Sequence, residues 1–169
     1  MSMRVLMVSS ESTSLGRWID FSKDEETVRD KLNDLKVESL AEYGVTKLVP
    51  DGSDSDIPYN WLRDLDEEDL ISLGQAKFDT EQIGAYIAAR ILTNHQEAMR
   101  VVKEGRYKFY GTHRAEVGRR YAPDVVKFLE EKGLSEFFNF DYYGGKIVND
   151  LDLISTYYGY YKIEGVAVC

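Results

Sequence analysis

The chain has 169 residues, with 30 acidic and 21 basic side chains and a formal net charge of −9. An apolar share of 43% with 12% aromatic residues excludes a disordered chain and fits one ordinary domain or two or three very small ones. A single cysteine, Cys169, excludes an intramolecular disulfide framework.

Met3–Val8 is β-branched and apolar, fit for a buried strand, and Leu15–Phe21 pairs with it across a Ser-rich connection. In that hairpin Trp18 and Asp20 face away from Ile19 and Phe21. Ser22 followed by Glu25 matches a capping box, and Val28, Leu32 and Leu35 set one apolar stripe on a helix of about three turns. Gly44–Val49 then makes a third strand, closed by Pro50. Residues 1–59 are thus predicted to form a small α+β module with an antiparallel sheet and one helix.

The stretch Asp51–Asp69 holds Asp51, Asp54, Asp56, Asp64, Asp66, Glu67, Glu68 and Asp69 against the single base Arg63. Such a run repels itself. A solvated loop leading into the first turn of a helix accounts for it, since acids favour the positive end of the helix dipole. The second, sharper reading is a surface whose carboxylates stand in for DNA phosphates. Residues 1–85 carry 19 acids and 9 bases, whereas residues 86–169 carry 11 and 12. Broad nucleic-acid binding needs a basic footprint and is disfavoured.

Trp61, Leu62, Leu65, Leu70, Ile71 and Leu73 predict short helices, with Gly74 ending that piece. Asp79 or Thr80 caps the next helix, which carries Ile83, Tyr86, Ile87, Ile91 and Leu92 beside the small residues Gly84, Ala85, Ala88 and Ala89. Asn94 starts a further helix through Ala98, Val101 and Val102, so 60–104 form a helical middle module. From Gly105 on, a mixed α+β C-terminal module is predicted over 105–169. There Arg106–Gly111 is a short strand or an irregular turn, and Thr112 caps a helix running past Val117 and Tyr121. Pro123 begins a new helix or kinks the old one, with Val125, Val126 and Leu129 as its apolar face and Gly133 as its stop. Leu134, Phe137 and Phe138 open a helix that Gly144 and Gly145 interrupt and that resumes through Ile147, Val148, Leu151 and Ile154. Tyr157–Ile163 closes the chain as a hairpin turning at Gly159.

Signs of catalysis are sparse. His95 and His113 lack a Cys or second His at ligand spacing, which points to satisfied surface histidines rather than zinc ligands. There is no glycine-flanked nucleophile, no phosphate loop and no ordered Ca²⁺-ligand pattern. Paired carboxylates for glycoside chemistry stay open until geometry is known. The expectation is therefore a non-enzyme with no cofactor and no metal. No run approaches the roughly 18 apolar residues of a membrane span, and Met1–Met7 is too short and polar for a signal peptide, so a cytoplasmic protein is expected.

Arg17-Trp18 with Phe21 precedes the first helix, and Glu42-Tyr43 precedes the third strand. Further on come Glu104-Gly105-Arg106-Tyr107-Lys108-Phe109-Tyr110, Gly118-Arg119-Arg120-Tyr121, Asp141-Tyr142 and Gly159-Tyr160-Tyr161. In order and spacing these segments resemble the ArdA family of antirestriction proteins over almost the whole chain. The resemblance implies an elongated, curved, acidic homodimer of three small modules that imitates bent B-form DNA. It implies that the protein occupies the DNA-binding groove of type I restriction-modification enzymes, protecting incoming mobile-element DNA in a bacterial host without catalysis. No direct contact with nucleic acid or membrane is then expected.

On that reading the phosphate-imitating side chains are the eight acids of 51–69, with Asp79 and Glu81 as further ones. The dimer contact is sought in the C-terminal module at Tyr107, Phe109, Tyr110, Tyr121, Phe137, Phe138 and Tyr142, since aromatic residues are enriched at interfaces. The same rings serve equally to fill a thin core. A second reading, from another class, is a nucleic-acid-binding or regulatory module using Lys103, Arg106, Lys108, Arg114, Arg119 and Arg120. A third is an acidic inhibitor of another host defence nuclease.

Overall fold

In the computed structural model, which describes residues 1–166, β1 (Met3–Ser9) runs antiparallel to β2 (Ser12–Asp20) and β3 (Leu48–Ser55). Cys169 lies outside the described residues. The sheet order is β2-β1-β3. Met3, Val5, Met7, Ile19 and Phe21 are fully buried, whereas Trp18 stays exposed, as the alternation requires.

α1 (Glu25–Tyr43) covers the buried side with Val28, Leu32 and Leu35. Its cap is Asp24, whose carboxylate accepts from the Thr27 N–H at 2.9 Å and the Thr27 hydroxyl at 2.8 Å. The capping box expected at Ser22 is absent, because the Ser22 hydroxyl donates to Asp20 instead. The helix is also longer than the apolar stripe indicates. Ser39 continues the stripe as a buried polar member, donating to the Ser9 hydroxyl at 2.8 Å. Gly44, at φ 73, ends the helix in the left-handed conformation that a side chain would strain.

The third strand does not stop at Pro50; it begins at Leu48 and continues to Ser55. β3 is an edge strand, where a missing N–H is tolerated. Gly52 lies opposite Leu6 and Pro50 opposite Met7, so Asp51 is the extra residue of a bulge. A 3-10 turn at Tyr59–Trp61 leads to α2 (Glu67–Gln75). Gly74 lies inside α2 rather than ending it. A Cβ there would sit 2.2 Å from the Phe21 carbonyl oxygen, so the glycine is what lets α2 approach the strand end.

The chain gathers into two units, Met1–Asp79 and, from Thr80 onward, the rest of the described residues. The helices expected in a middle region, 60–104, fall on both sides of that division. The second unit opens with α3 (Thr80–Leu92), buried continuously from Ile83 to Ala89 with Ile91 exposed. α4 (His95–Lys103) follows, and the Asn94 side chain caps it by accepting from the Glu97 N–H at 2.9 Å. His95 is buried rather than superficial, and its Nδ1 shares a 2.9 Å hydrogen bond with the buried Tyr86 hydroxyl.

β4 (Tyr107–Gly111), β5 (Ile154–Thr156) and β6 (Gly159–Ile163) make a second antiparallel sheet in the order β4-β6-β5. α3 packs on this sheet, with Gly84 against the Tyr161 ring. α5 (Arg114–Tyr121) is capped by His113, one residue after the expected Thr112. Thr112 instead donates its N–H and hydroxyl to Glu116, at 2.8 and 2.9 Å. Pro123 begins α6 (Pro123–Glu131), and Gly133 follows its end at φ 65. α7 (Phe140–Asp150) runs unbroken through Gly144 and Gly145. A Cβ on Gly144 would lie 1.8 Å from the Arg114 carbonyl oxygen, so this glycine makes the α5–α7 crossing possible. Val117, Ile147 and Leu153 form the core beneath, with Tyr110, Tyr143 and Tyr160 around it. Ile154, expected on the helix, lies in β5.

Candidate functional site

The acidic stretch occupies three kinds of local structure. Asp51 and Asp54 stand exposed on β3, the first at the bulge and the second opposite Arg4. Asp56 follows the strand and accepts from the Ser2 N–H. Asp64 is exposed in the turn before α2, and Asp66 caps α2 by accepting from the Asp69 N–H at 2.8 Å. Glu67, Glu68 and Asp69 form the first turn, where their charge meets the free N–H groups of the helix start. Thus the helix-start interpretation describes the second half of the run, while the first half lies on a strand edge. Asp79 is exposed at the end of the first unit, and Glu81 is exposed in the first turn of α3.

Three of these carboxylates meet basic partners from distant sequence. The Arg29 guanidinium donates to both oxygens of Glu68 at 2.6 and 2.7 Å, and this holds the Glu68 carboxyl below its ordinary value. Lys36 pairs with Glu67 at 2.5 Å. Arg4 reaches Asp54 at 3.4 Å, a long contact between two exposed side chains. An exposed pair such as Arg4 with Asp54 contributes about 0–1 kcal/mol, so an incoming cation can replace the arginine at little cost. Arg29 and Lys36 lie seven residues apart on α1, two turns along one side. That spacing was the sequence signal for their role, and the apolar stripe alone did not disclose it.

Shallow depressions adjoin the run. One of about 330 Å³ is lined by Lys36, Lys47, Leu48, Asp66, Glu67 and Glu68, and another of about 260 Å³ includes Arg63 and Asp64. Both mix acids with bases. Among the described residues no group of three or more His, Cys, Asp or Glu side chains is placed to hold a metal ion. No helix among them is long and apolar enough to cross a membrane.

The basic span of the second unit is largely engaged within the chain. Arg106 pairs with Glu97 and Glu104, both at 2.7 Å, and Arg120 pairs with Glu116 at 2.6 Å. The Arg119 guanidinium lies 4.1 Å from the Phe140 ring centroid, and Lys108 lies 5.0 Å from that of Tyr110. Arg114 lines a cavity of about 490 Å³ with Asn139, Asp141, Tyr142, Gly145, Lys146 and Asn149.

The seven aromatic residues singled out in this unit divide in two. Tyr107 and Phe109 pack on Tyr161, Phe138 packs on Phe140 and Tyr143, and Tyr110 lines the core. Tyr121, Phe137 and Tyr142 are exposed, Phe137 at 77%. Near Phe137 in sequence, Val125, Phe128 and Leu134 are exposed as well, and α6 buries no residue at all. The spacing of Val125 and Phe128 by three is the signal for this second apolar face.

The chain matches no protein-family model, no curated protein and no solved structure.

Proposed function

We propose that this protein is a DNA-mimicking antirestriction protein of the ArdA kind, acting in the cytoplasm of a bacterial host on type I restriction-modification enzymes. One observation carries the reading. The first unit holds 18 acids against 9 bases, the whole net charge of the chain, and its acid run lies on an edge strand and a helix start. Carboxylates so placed compete for a protein groove that binds DNA through Lys and Arg, because duplex DNA carries one charge per roughly 1.7 Å of its axis. The equal count of acids and bases in residues 80–169 favours this reading over direct nucleic-acid binding, which needs a basic footprint. The exposed apolar residues of α6 and the following turn support self-association through the second unit. On this reading the chain forms a homodimer of elongated subunits, each with modules 1–59, 60–104 and 105–169.

The decisive experiment is displacement of duplex DNA from a purified type I methyltransferase core, followed by electrophoretic shift. The protein should leave free DNA unshifted and should release bound DNA. Changing the eight acids of 51–69 to Asn or Gln should abolish release. Raising salt from 50 to 200 mM should weaken the protein's binding to the enzyme by roughly a thousandfold if six or more charges take part. A folded eightfold variant that still releases DNA would defeat the reading. Release from a different defence nuclease alone would move the target while keeping the physics.

A further inference from the structure

We propose that the open face of the β2-β1-β3 sheet is a docking surface for a cationic protein segment, with Trp18 as its anchor. The inference rests on the DNA-mimic reading, from which it takes the basic chemistry of the partner, and it names where on the first unit the contact is centred.

Cross-strand register builds this face in three rows. Asp20, Arg4 and Asp54 lie side by side in the first, Trp18, Leu6 and Gly52 in the second, and Gly16, Val8 and Val49 in the third, where Val8 is buried, so the face is open at the first two rows. Successive rows are about 7 Å apart. The residues between them, Val5 and Ile19, are fully buried on the opposite side, where α1 lies. Trp18 is 44% exposed. Its ring reaches over Leu6 toward Gly52, where a Cβ would find the indole Cη2 at 3.8 Å. The absence of a side chain at Gly52 gives the far edge of the indole room to lie over that position.

The chain already shows what this platform accepts. The Arg4 guanidinium sits 5.7 Å from the Trp18 ring centroid and 3.4 Å from Asp54, so one planar cation is held by an aromatic ring and a carboxylate together. Asp54 remains 75% exposed with this contact in place. Hydrogen bonds from Ser22, with Lys23 and Arg4 nearby, overcome the effect of burial and keep Asp20 charged. An aromatic platform flanked by two carboxylates, in a unit with a net charge of −9, complements an arginine-bearing surface. Trp is also among the residues that most often dominate binding energy.

The test uses the full chain with Trp61→Phe, so that Trp18 is the one indole. A deca-arginine peptide serves as the first probe, read by Trp18 emission and peptide anisotropy, and displacement of DNA from the type I methyltransferase core is the second. Trp18→Ala should lower peptide affinity about tenfold or more. Asp54→Lys should lower it severalfold, and Trp18→Phe should retain most of it. Val37→Ala, an exposed apolar site on α1, should change nothing. If Trp18→Ala fails to fold by circular dichroism, Trp18→Leu, which keeps an apolar side chain but no ring, is expected to lose affinity as Trp18→Ala would and decides the matter with Asp54→Lys by the same assays. Unchanged peptide affinity in folded Trp18→Ala, or in Trp18→Leu where that variant replaces it, overturns the proposal. If those variants also displace DNA as the parent does, the mimic reading stands while the anchor falls. Peptide binding through Trp18 without any DNA displacement keeps the docking surface and sinks the mimic reading. Preferential quenching of Trp18 by an oligo-dT strand would overturn the proposal in favour of base stacking.

Discussion

The two units solve the same folding problem with opposite surfaces. Each sets a three-stranded antiparallel sheet against helices, and each admits a helix closely through a glycine, Gly74 in the first and Gly144 in the second. Yet residues 1–79 carry a net charge of −9, whereas residues 80–169 hold 12 acids and 12 bases. The first unit exposes carboxylates along an edge strand; the second exposes Val125, Phe128, Leu134 and Phe137 beside Tyr121 and Tyr142. A neutral unit can therefore build this kind of sheet-and-helix packing. The acid load is a property of the first unit's surface, not a requirement of the fold.

The comparison breaks most sharply at the two glycines. Gly74→Ala drives a methyl into the Phe21 backbone, and Gly144→Ala drives one into the Arg114 backbone, where neither neighbour is a flexible side-chain end. Each should cost about 3 kcal/mol or more. Both tryptophans, Trp18 and Trp61, belong to the first unit, so indole fluorescence follows its unfolding alone. Gly74→Ala should lower the thermal transition seen by fluorescence. Gly144→Ala should lower the far-ultraviolet dichroism transition and leave the fluorescence transition in place. A drop in the fluorescence transition of Gly144→Ala would show one cooperative body instead of two, since the first unit's own helices add to the dichroism signal and make Gly74→Ala uninformative on this point.

Those glycines also mark where the sequence stopped being legible. A glycine in a helical pattern carries the same local signature whether it ends the helix or admits a neighbour, and the neighbours here, Phe21 and Arg114, lie 53 and 30 residues away. Pro50 misled for a related reason: its missing N–H stops a central strand, but β3 is an edge, and edge position depends on the whole sheet. Where the determinant was local, the pattern sufficed. The alternation of Met3, Val5 and Met7 and the Asn94 cap were readable in place, whereas the closing hairpin was only half so, since it turns at Tyr157-Tyr158 and Gly159 opens β6 opposite Thr156. At the candidate site the acids themselves were plain in the sequence. Their partners on α1, Arg29 and Lys36, required the fold, because they approach from more than 30 residues away.

A smaller effect sharpens the contrast between the cores. The first unit buries a polar pair of two small hydroxyls, Ser9 with Ser39; the second buries Tyr86 with His95 at 2.9 Å. Tyr86→Phe removes the hydroxyl from the buried His95 and should destabilise the second unit by about 1–3 kcal/mol. Chemical denaturation followed by dichroism measures it, and the fluorescence midpoint should not move. An unaltered dichroism midpoint would mean that this hydrogen bond adds nothing net.

The smallest expected effect comes from acid titration of the first unit, where two influences oppose one another. Lowering pH from neutrality toward 5 begins to discharge crowded carboxylates and relieves the repulsion of a net −9. Against this, the Thr27 N–H and hydroxyl hold Asp24 below its ordinary 3.8, and Arg29 holds Glu68 below its ordinary 4.5. A depressed folded value means stability that is complete above the unfolded pKa and is lost as pH falls through the folded one. The loss therefore begins only near pH 4.5 for Glu68 and near 3.8 for Asp24, and it stays modest because both side chains face solvent. The fluorescence-detected melting temperature should hold level or rise slightly from pH 7 to 5, then fall below about 4.5. Added salt should flatten the rise by screening the same repulsion. A melting temperature at pH 7 that falls when salt is added would show that the carboxylates of the first unit attract more than they repel, and that its surface is a set of internal pairs rather than a repelling field.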